Sequence, residues 1–495
     1  MPMILFRVDA NSMLGLGHLR RCMSLALALK RQGAETHFVY GPSDLDCGQL
    51  LEAANLPSSP LPAATGDCLN DADCFVQAAA PLKPDWVVVD HYQIEASWHE
   101  TIRQRLSCRV AVIDDLADRP LAPDALIDHN WLVPPGHREK YHACLRKAPA
   151  HWFCGPRFAL LDQAYWDRPL FDVQQQVSSI GIFLGGTDPA QLSASVLRAC
   201  RNIAGFQGPI EVVSTHGNQG LHVLRQAIED DGHARLSLDL PQLADFYKRH
   251  DLQIGAGGGA SWERCAVGAP SLTLCVAENQ RAVIPGLASL GAITTTADNE
   301  PTTIGLAVKA LLNSPALRTQ LAQTSRSLVD GRGSERVALG LLSALPGQLS
   351  VRALTFDDAD LMWSWRNHPS TRGVSRQQQE IPLESHRQWL ARALTTKQMT
   401  LLMGMVGSTP VGVLRFDPTS VPSELEVSIY LDPALHALGL GKKLLLAGEN
   451  ALARQSCAES LIAEVLPGND ASSQLFLGAG YRPLSPTTFA KSLPA

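Results

Sequence analysis

The sequence predicts an α/β protein: two doubly wound parallel domains in series, followed by an α+β domain. Three observations predict it. Short apolar segments ("MILFRV", "THFVY", "WVVVD", "RVAVID", then "IGIFLGG", "IEVVST", "LQIGAG") alternate with longer helical patterns, the signature of strands buried on both faces of a parallel sheet. The strand series restarts near Ser178, after an irregular segment containing "GPRFALL". A helical pattern then gives out at Pro346 and Gly347, and a new strand, "VRALT", begins.

The predicted domains are Rossmann-like halves over residues 1–165 and 166–346, with a cleft between them, and a third unit over 350–495. The third unit runs helix-rich first ("DDADLMWSWRNHP", "LESHRQWLARAL"), then through strands ("LLMGMV", "PVGVLRF", "LEVSIYL"). A helix follows ("GLGKKLLLAGENALARQ"), then the strand "SLIAEVL" and a last helix, an order that suggests a largely antiparallel sheet.

At 495 residues the chain exceeds one ordinary core. Its net charge of −6 offers no basic excess for a nucleic-acid backbone, so nucleic acid is not an expected partner. No apolar run approaches the ~20 residues of a membrane span, and no secretory signal opens the chain. A cytoplasmic enzyme is expected, with an oligomer left open. The 11 cysteines show no C-x-x-C spacing, which argues against a zinc ribbon or a disulfide framework and for reduced thiols; no metal is expected.

"GLGHLRRC", Gly15 to Cys22, places His18 between a glycine turn and basic residues. On its own spacing a strand-to-helix turn with a solvent-exposed histidine is the favoured reading, with a phosphate loop and the seat of a catalytic base as its alternatives. "IGAGGGASWERCAVGAP" is more specific: a strand end, then Gly257, Gly258, Gly259 and Ser261, then a helix carrying Glu263. Free amides at a helix start suit a pyrophosphate, and a carboxylate one turn inside suits ribose hydroxyls; close helix–sheet packing is the competing reason for the glycines. "FLGGTDP" adds Gly186 and Thr187 at a second strand end in the same half. Asp9, Asp90, Asp114 and Asp115 lie at or near strand ends, where acidic groups touch sugar hydroxyls or cap helices. Asn279 and Gln280 are candidate substrate contacts just beyond a strand.

Seven stretches in order, "RVDANSMLGLGHLRRC", "VVVDHYQI", "VIDDLADRP", "CGPRFALL", "FLGGTDP", "GAGGGASWERC" and "VAENQ", resemble the UDP-sugar hydrolases of pseudaminic acid biosynthesis, relatives of the GT-B glycosyltransferases. The resemblance implies a GT-B-like fold for the first two domains. It implies release of UDP from UDP-2,4-diacetamido-2,4,6-trideoxy-β-L-altrose, by water attacking the anomeric carbon with inversion and without a metal. The general base then falls on His18 and the active-site tyrosine on Tyr92, and Gly17, Asp9 and Arg157 join the UDP-sugar contacts. A GT-B glycosyltransferase is the nearest alternative, because the same cleft can bind a UDP-sugar.

In the third unit, "HALGLGKKLL" sets Gly439 and Gly441 between a strand and a helix, where backbone amides cradle a pyrophosphate. With "VLPGNDASSQLFLGAGY" and "WRNHP" it resembles the GCN5-related N-acetyltransferases, among them the enzyme that acts just before the hydrolase. The resemblance implies acetyl-CoA as cosubstrate, bound by His436, Leu438, Gly439, Leu440, Gly441, Lys442 and Asn469, and acetylation of the 4-amino group of a UDP-amino-sugar. No tightly bound cofactor is expected. Two departures stand out: His436 occupies the position of an arginine or glutamine, and Phe476 that of the tyrosine expected to protonate the thiolate. The second leaves open a noncatalytic, acetyl-CoA-binding regulatory role.

Overall fold

The computed structural model describes residues 1–493 apart from 12–14, 63–67, 133–135, 167, 397–398 and 455–457. The chain forms two compact units, Met1–Val337 and Ala338–Ala495.

The first unit contains two parallel sheets. One is built from β1 (Met3–Val8), β2 (Glu35–Tyr40), β3 (Ser58–Pro60), β4 (Trp86–Asp90), β5 (Arg109–Ile113), β6 (Ala125–Asp128) and β7 (His151–Cys154), in the order β3-β2-β1-β4-β5-β6-β7. The other contains β8 (Ile180–Phe183), β9 (Ile210–Ser214), β10 (Ala234–Leu238), β11 (Leu252–Ala256), β12 (Ser271–Leu274) and β13 (Thr294–Thr295), in the order β10-β9-β8-β11-β12-β13. Central strands such as β4 and β11 are buried along their whole length, which is why they read as largely apolar runs, broken in β11 by Gln253, whose amide donates to the carbonyls of Phe246 and Tyr247. In each sheet the strand order reverses once, between β1 and β4 and between β8 and β11. Those reversals open crevices at the carboxyl ends of the strands, the usual seat of ligands in open α/β sheets.

The second unit carries a mixed sheet of β14 (Leu349–Ala353), β15 (Thr400–Val406), β16 (Thr409–Pro418), β17 (Glu424–Leu431), β18 (Ser460–Glu464), β19 (Arg482–Ser485) and β20 (Thr488–Ser492). All neighbours are antiparallel except β17 and β18, which pair in parallel only over Glu424–Glu426 and Ser460–Ile462. Beyond Glu426 the two strands separate. The chain does not finish on the helix Asp470–Gly478 that the pattern suggests; the hairpin β19–β20 follows and returns along β18.

No helix among the described residues is long and apolar enough to cross a membrane, and the described cysteines are free thiols. One buried cation stitches the chain around the second sheet. Arg318, fully buried, donates from Nη1 to the carbonyls of Leu311 (2.5 Å) and Leu312 (3.0 Å), and from Nη2 to those of Gln174 (2.8 Å) and Gln175 (3.0 Å). Arg318→Met fills the space but strands four acceptors, so chemical denaturation is expected to register a loss of roughly 3 kcal/mol or more. An unchanged midpoint would mean that these carbonyls find water.

Candidate functional site

At the first crevice, Gly15 adopts φ +74°, a conformation that lets the chain turn tightly from β1 into the helix Gly17–Arg31. The N-cap is Leu16, with no side-chain cap bond, so His18 is not the helix cap. Helical spacing instead puts His18 and Arg21 on one face, above the end of β4. There His18 Nδ1 lies 2.6 Å from Asp90 Oδ1, and Arg21 grips the same carboxylate through Nε and Nη2, each at 2.6 Å. Burial opposes a charge on Asp90, yet Arg21 and then His18 hold its carboxyl well below the usual range. An ionised carboxylate has no hydrogen to give, so the 2.6 Å contact places a proton on Nδ1 although Arg21 Nη2 also approaches that nitrogen at 3.0 Å, and in the neutral ring of that tautomer Nε2 keeps its lone pair. The Tyr92 ring meets His18 edge-on at 4.7 Å, and burial together with Asp115 keeps its phenol protonated far above the ordinary range.

The other acidic candidates are committed differently. Asp9 accepts from Arg7, from Gly41 N (2.7 Å) and from His91 Nε2 (2.9 Å), so its carboxylate braces the crevice rather than reaching for a sugar. Asp114 pairs with Arg119 (2.7 Å) and accepts from the amides of Leu116 and Ala117, shaping the turn after β5. Asp115 stands beside Tyr92.

One residue that the sequence reading did not single out belongs here. His129, just beyond β6, is buried and packs edge-on against Trp262 of the second half (5.8 Å). Two residues on, Trp131 packs on the helix Ile284–Ser289, where a Cβ on Gly286 would come within 3.1 Å of it. Arg20 adds a third tie by donating to the Pro241 carbonyl at 3.1 Å. A lone histidine after a short strand carries no pattern that would have flagged it.

At the second crevice, Gly258 caps the helix Gly259–Val267. The glycines divide their work. A Cβ on Gly257 would strike Ile284 at 2.4 Å, so this position is glycine for packing, whereas a Cβ on Gly258 would meet only Gln280 Nε2, at 3.6 Å, and one on Gly259 nothing within 4 Å. Ser261 is turned inward: its amide donates to Gly258 O, and its hydroxyl donates to Ala256 O (3.2 Å) and accepts from Arg264 (3.1 Å). It supports the loop and has no hydrogen left for a ligand. Glu263 accepts from the Tyr247 phenol (3.3 Å), and burial raises its carboxyl. Gln280 Oε1 accepts from Val276 N (2.9 Å), which leaves its amide nitrogen beside Gly258. The backbone of Asn279 lies in the turn Glu278–Gln280, but its side chain is outside the described residues. At the end of β8, Gly186 O accepts from Thr215 N and Oγ1, Thr187 is half-buried, and Asp188 accepts from the amides of Leu192 and Ser193. Arg157 lies in the turn Pro156–Phe158, its guanidinium over Phe158 and pushed down by burial and Arg336.

In the second unit, Gly439 (φ +71°) caps the helix Leu440–Ala453, whose first amides, on Leu440, Gly441 and Lys442, have no partner within the helix. Leu438 is buried beneath this turn and Ala437 also takes a left-handed conformation, so the loop that begins at His436 is tightly wound. Asn469 caps the helix Asp470–Gly478 through Oδ1, leaving its amide group free for a second role. Phe476 is buried against Tyr481 (5.0 Å) and Phe489 (6.1 Å). The Tyr481 phenol is spent on Glu449 (2.8 Å), so it is not a replacement acid.

Residues 348–482 match the family model of the acetyltransferase (GNAT) domain, and the second unit therefore carries a GNAT domain. The spore coat polysaccharide biosynthesis protein SpsG of Bacillus subtilis is 28% identical over 189 residues, which cover 37% of this chain and 56%, little more than half, of that protein. The UDP-2,4-diacetamido-2,4,6-trideoxy-beta-L-altropyranose hydrolase of Campylobacter jejuni is 21% identical over 288 residues, 58% of this chain and 97% of that protein. A provisionally assigned UDP-N-acetylglucosamine 2-epimerase from Listeria monocytogenes shares the fold with a TM-score of 0.50 and 13% identity, over 69% of this chain and 96% of that one. The pair of parallel sheets is GT-B-like.

His129 makes the acid limb of stability testable. Burial and then Arg21 push its imidazole down to about 4 from 6.5, so the folded state resists a proton that the unfolded chain accepts. Stability from this residue is complete above pH 6.5 and is lost as the pH falls toward 4. Denaturation at a series of pH values is expected to show His129→Gln losing about 2 kcal/mol less than the parent between pH 7 and 4.5. Parallel profiles would contradict this.

Proposed function

We propose that the chain is a bifunctional cytoplasmic enzyme of pseudaminic acid biosynthesis that acts on consecutive UDP-amino-sugars. The GT-B-like unit hydrolyses UDP-2,4-diacetamido-2,4,6-trideoxy-β-L-altropyranose to UDP and the free sugar. The GNAT domain acetylates the 4-amino group of the preceding UDP-sugar from acetyl-CoA. The observation that carries the hydrolase reading is the ion-paired His18–Asp90–Arg21 group at the strand-order reversal of the first sheet. The Campylobacter relative, matched over nearly its whole length, supports it.

In this reading His18 Nε2 takes a proton from water as the water oxygen bonds to the anomeric carbon. The C1–O bond breaks on the opposite face, and its electrons leave on the β-phosphate of UDP. Asp90 stabilises the imidazolium that forms, and Arg21 keeps Asp90 ionised. The amides at Gly258 and Gly259 and the Gln280 amide nitrogen receive the diphosphate charge, while Glu263, steadied by Tyr247, takes ribose hydroxyls. Tyr92, its phenol held protonated beside Asp115, helps to orient the sugar or the attacking water.

In the GNAT domain the unprotonated sugar amine bonds to the thioester carbonyl carbon, the C–S bond breaks with its electrons leaving on the thiolate, and the proton shed by the nitrogen passes to water. The acetyl-CoA pyrophosphate lies on the amides of Leu440 to Lys442. With Phe476 and Tyr481 both buried in the core, the thiolate leaves without a proton from either, which a thiolate tolerates.

The test supplies the UDP-4-amino-sugar and acetyl-CoA and follows acetylation and UDP release. His18→Ala and Asp90→Asn are each expected to slow UDP release at least ~100-fold, with acetylation intact and the UDP-diacetamido-sugar accumulating. Gly441→Trp, which places an indole in the loop, is expected to abolish acetylation alone. Undiminished UDP release by His18→Ala would overturn the base assignment, and UDP release only with an added acceptor would mark a glycosyltransferase.

A further inference from the structure

The loop after β5, Asp114 to Arg119 of the stretch "VIDDLADRP", is built around one buried guanidinium. Arg119 pairs through Nη1 with Asp114 (2.7 Å) and with the exposed Asp118 (3.0 Å), and the other edge of its fork crosses to a different loop. There Nε donates to the Ile94 carbonyl and Nη2 to the His91 carbonyl, both at 2.9 Å. The next residue continues the join, because the Ala96 amide donates to the Pro120 carbonyl at 2.8 Å.

Tyr92 lies between the two clasped carbonyls. It belongs to neither a strand nor a helix, since β4 ends at Asp90 and the next helix begins at Ala96. No ladder of backbone hydrogen bonds fixes such a residue, so its orientation depends on the side chains that hold its turn. His91 holds one side, with Nε2 2.9 Å from Asp9 Oδ2 and Nδ1 accepting from Gln93 N (3.1 Å). Arg119 holds both ends.

The same loop also meets the Tyr92 side chain, because Asp115 stands beside the phenol. The loop is itself anchored: the Tyr141 phenol donates to the Asp114 carbonyl and Lys140 Nζ to the Asp115 carbonyl, each at 2.8 Å. Asp114 to Arg119 therefore reaches Tyr92 at its phenol and at its backbone at once. The ring so placed stands edge-on to His18 at 4.7 Å.

We propose that Arg119 is a positioning residue of the hydrolytic crevice: by clasping the carbonyls of His91 and Ile94 it holds Tyr92 edge-on to His18. Its effect on turnover rests on the hydrolase reading, whereas its hold on Tyr92 is geometric and is measurable without substrate. A guanidinium presents two parallel donors along one edge, and an ammonium does not. Lysine at this position keeps a charge beside Asp114 and loses the clasp.

The experiment uses the full chain with Arg119→Lys, and with Arg119→Met combined with Asp114→Asn, which removes both charges of the pair together. Each is made alone and with Tyr92→Ala, and UDP release from the UDP-diacetamido-sugar is followed. The kcat is expected to fall at least ~10-fold when Tyr92 is present and less than ~2-fold when it is absent, because an arginine that acts through Tyr92 has nothing further to lose there. In histidine-labelled protein without substrate, the His18 ring protons, which lie in the ring current of Tyr92, should move in Arg119→Lys toward their positions in Tyr92→Ala. A near-ultraviolet circular dichroism spectrum like that of the parent identifies the folded variants; where Arg119→Lys fails this, the variant with both charges removed is read instead. Parent-level kcat, equal losses in the two backgrounds, or unmoved His18 protons in a folded variant would overturn the assignment. Absence of UDP release by the parent would sink the hydrolase reading, and the His18 protons alone would then decide whether Arg119 holds Tyr92.

Discussion

The chemistry of the first unit depends on one buried carboxylate. Asp90 ends a fully buried strand with no exposed side-chain surface, and an unpaired charge there would not be tolerated. Arg21 removes that penalty through two 2.6 Å contacts, and the remaining direction of Oδ1 is taken by His18. The helix that follows β1 must therefore dock with both His18 and Arg21 over the end of β4. That requirement links the glycine turn at Gly15, the 3.6-residue spacing and the strand order β1-β4. The imidazole is left with one bare nitrogen, held in place by the carboxylate on one side and the Tyr92 ring on another.

The same unit joins this group to the second crevice through few but specific contacts. His129 meets Trp262, which lies one turn inside the helix that Gly258 caps, and Trp131 lies on the helix of Ile284, the side chain that excludes any Cβ at Gly257. Packing at the glycine loop and packing at the histidine thus share intermediaries. Gly257 illustrates how a glycine-rich motif can hold two kinds of glycine, one for the density of the core and two where a side chain would meet little or nothing.

The parallel sheets were legible because their central strands are largely apolar runs; the edges were not. Ser58–Pro60 and Thr294–Thr295 are too short to show a period, and Arg482–Ser485 is exposed and interrupted by proline, so the last hairpin was hidden behind a helix. At the site, residue type was visible and partnership was not. Asp9, Asp90 and Ser261 looked alike as polar residues at loop mouths, yet Asp9 is saturated by Arg7, Gly41 and His91, Ser261 is folded under its own loop, and only Asp90 grips a histidine with a free nitrogen. Gly41 and His91 on Asp9, and His18 on Asp90, come from tens of residues away in the chain, beyond any local pattern. His129 was missed for the same reason: its meaning lies in the Trp262 ring that faces it from far along the chain.

The central claim is that Asp90 fixes the proton of His18 on Nδ1 and leaves Nε2 as the base. The direct measurement is a long-range ¹H–¹⁵N correlation spectrum of histidine-labelled protein at neutral pH, assigned with His18→Gln. The account predicts a neutral His18 ring with Nδ1 protonated and Nε2 bare, and loss of that tautomer in Asp90→Asn. A neutral ring protonated on Nε2 in the parent would contradict it.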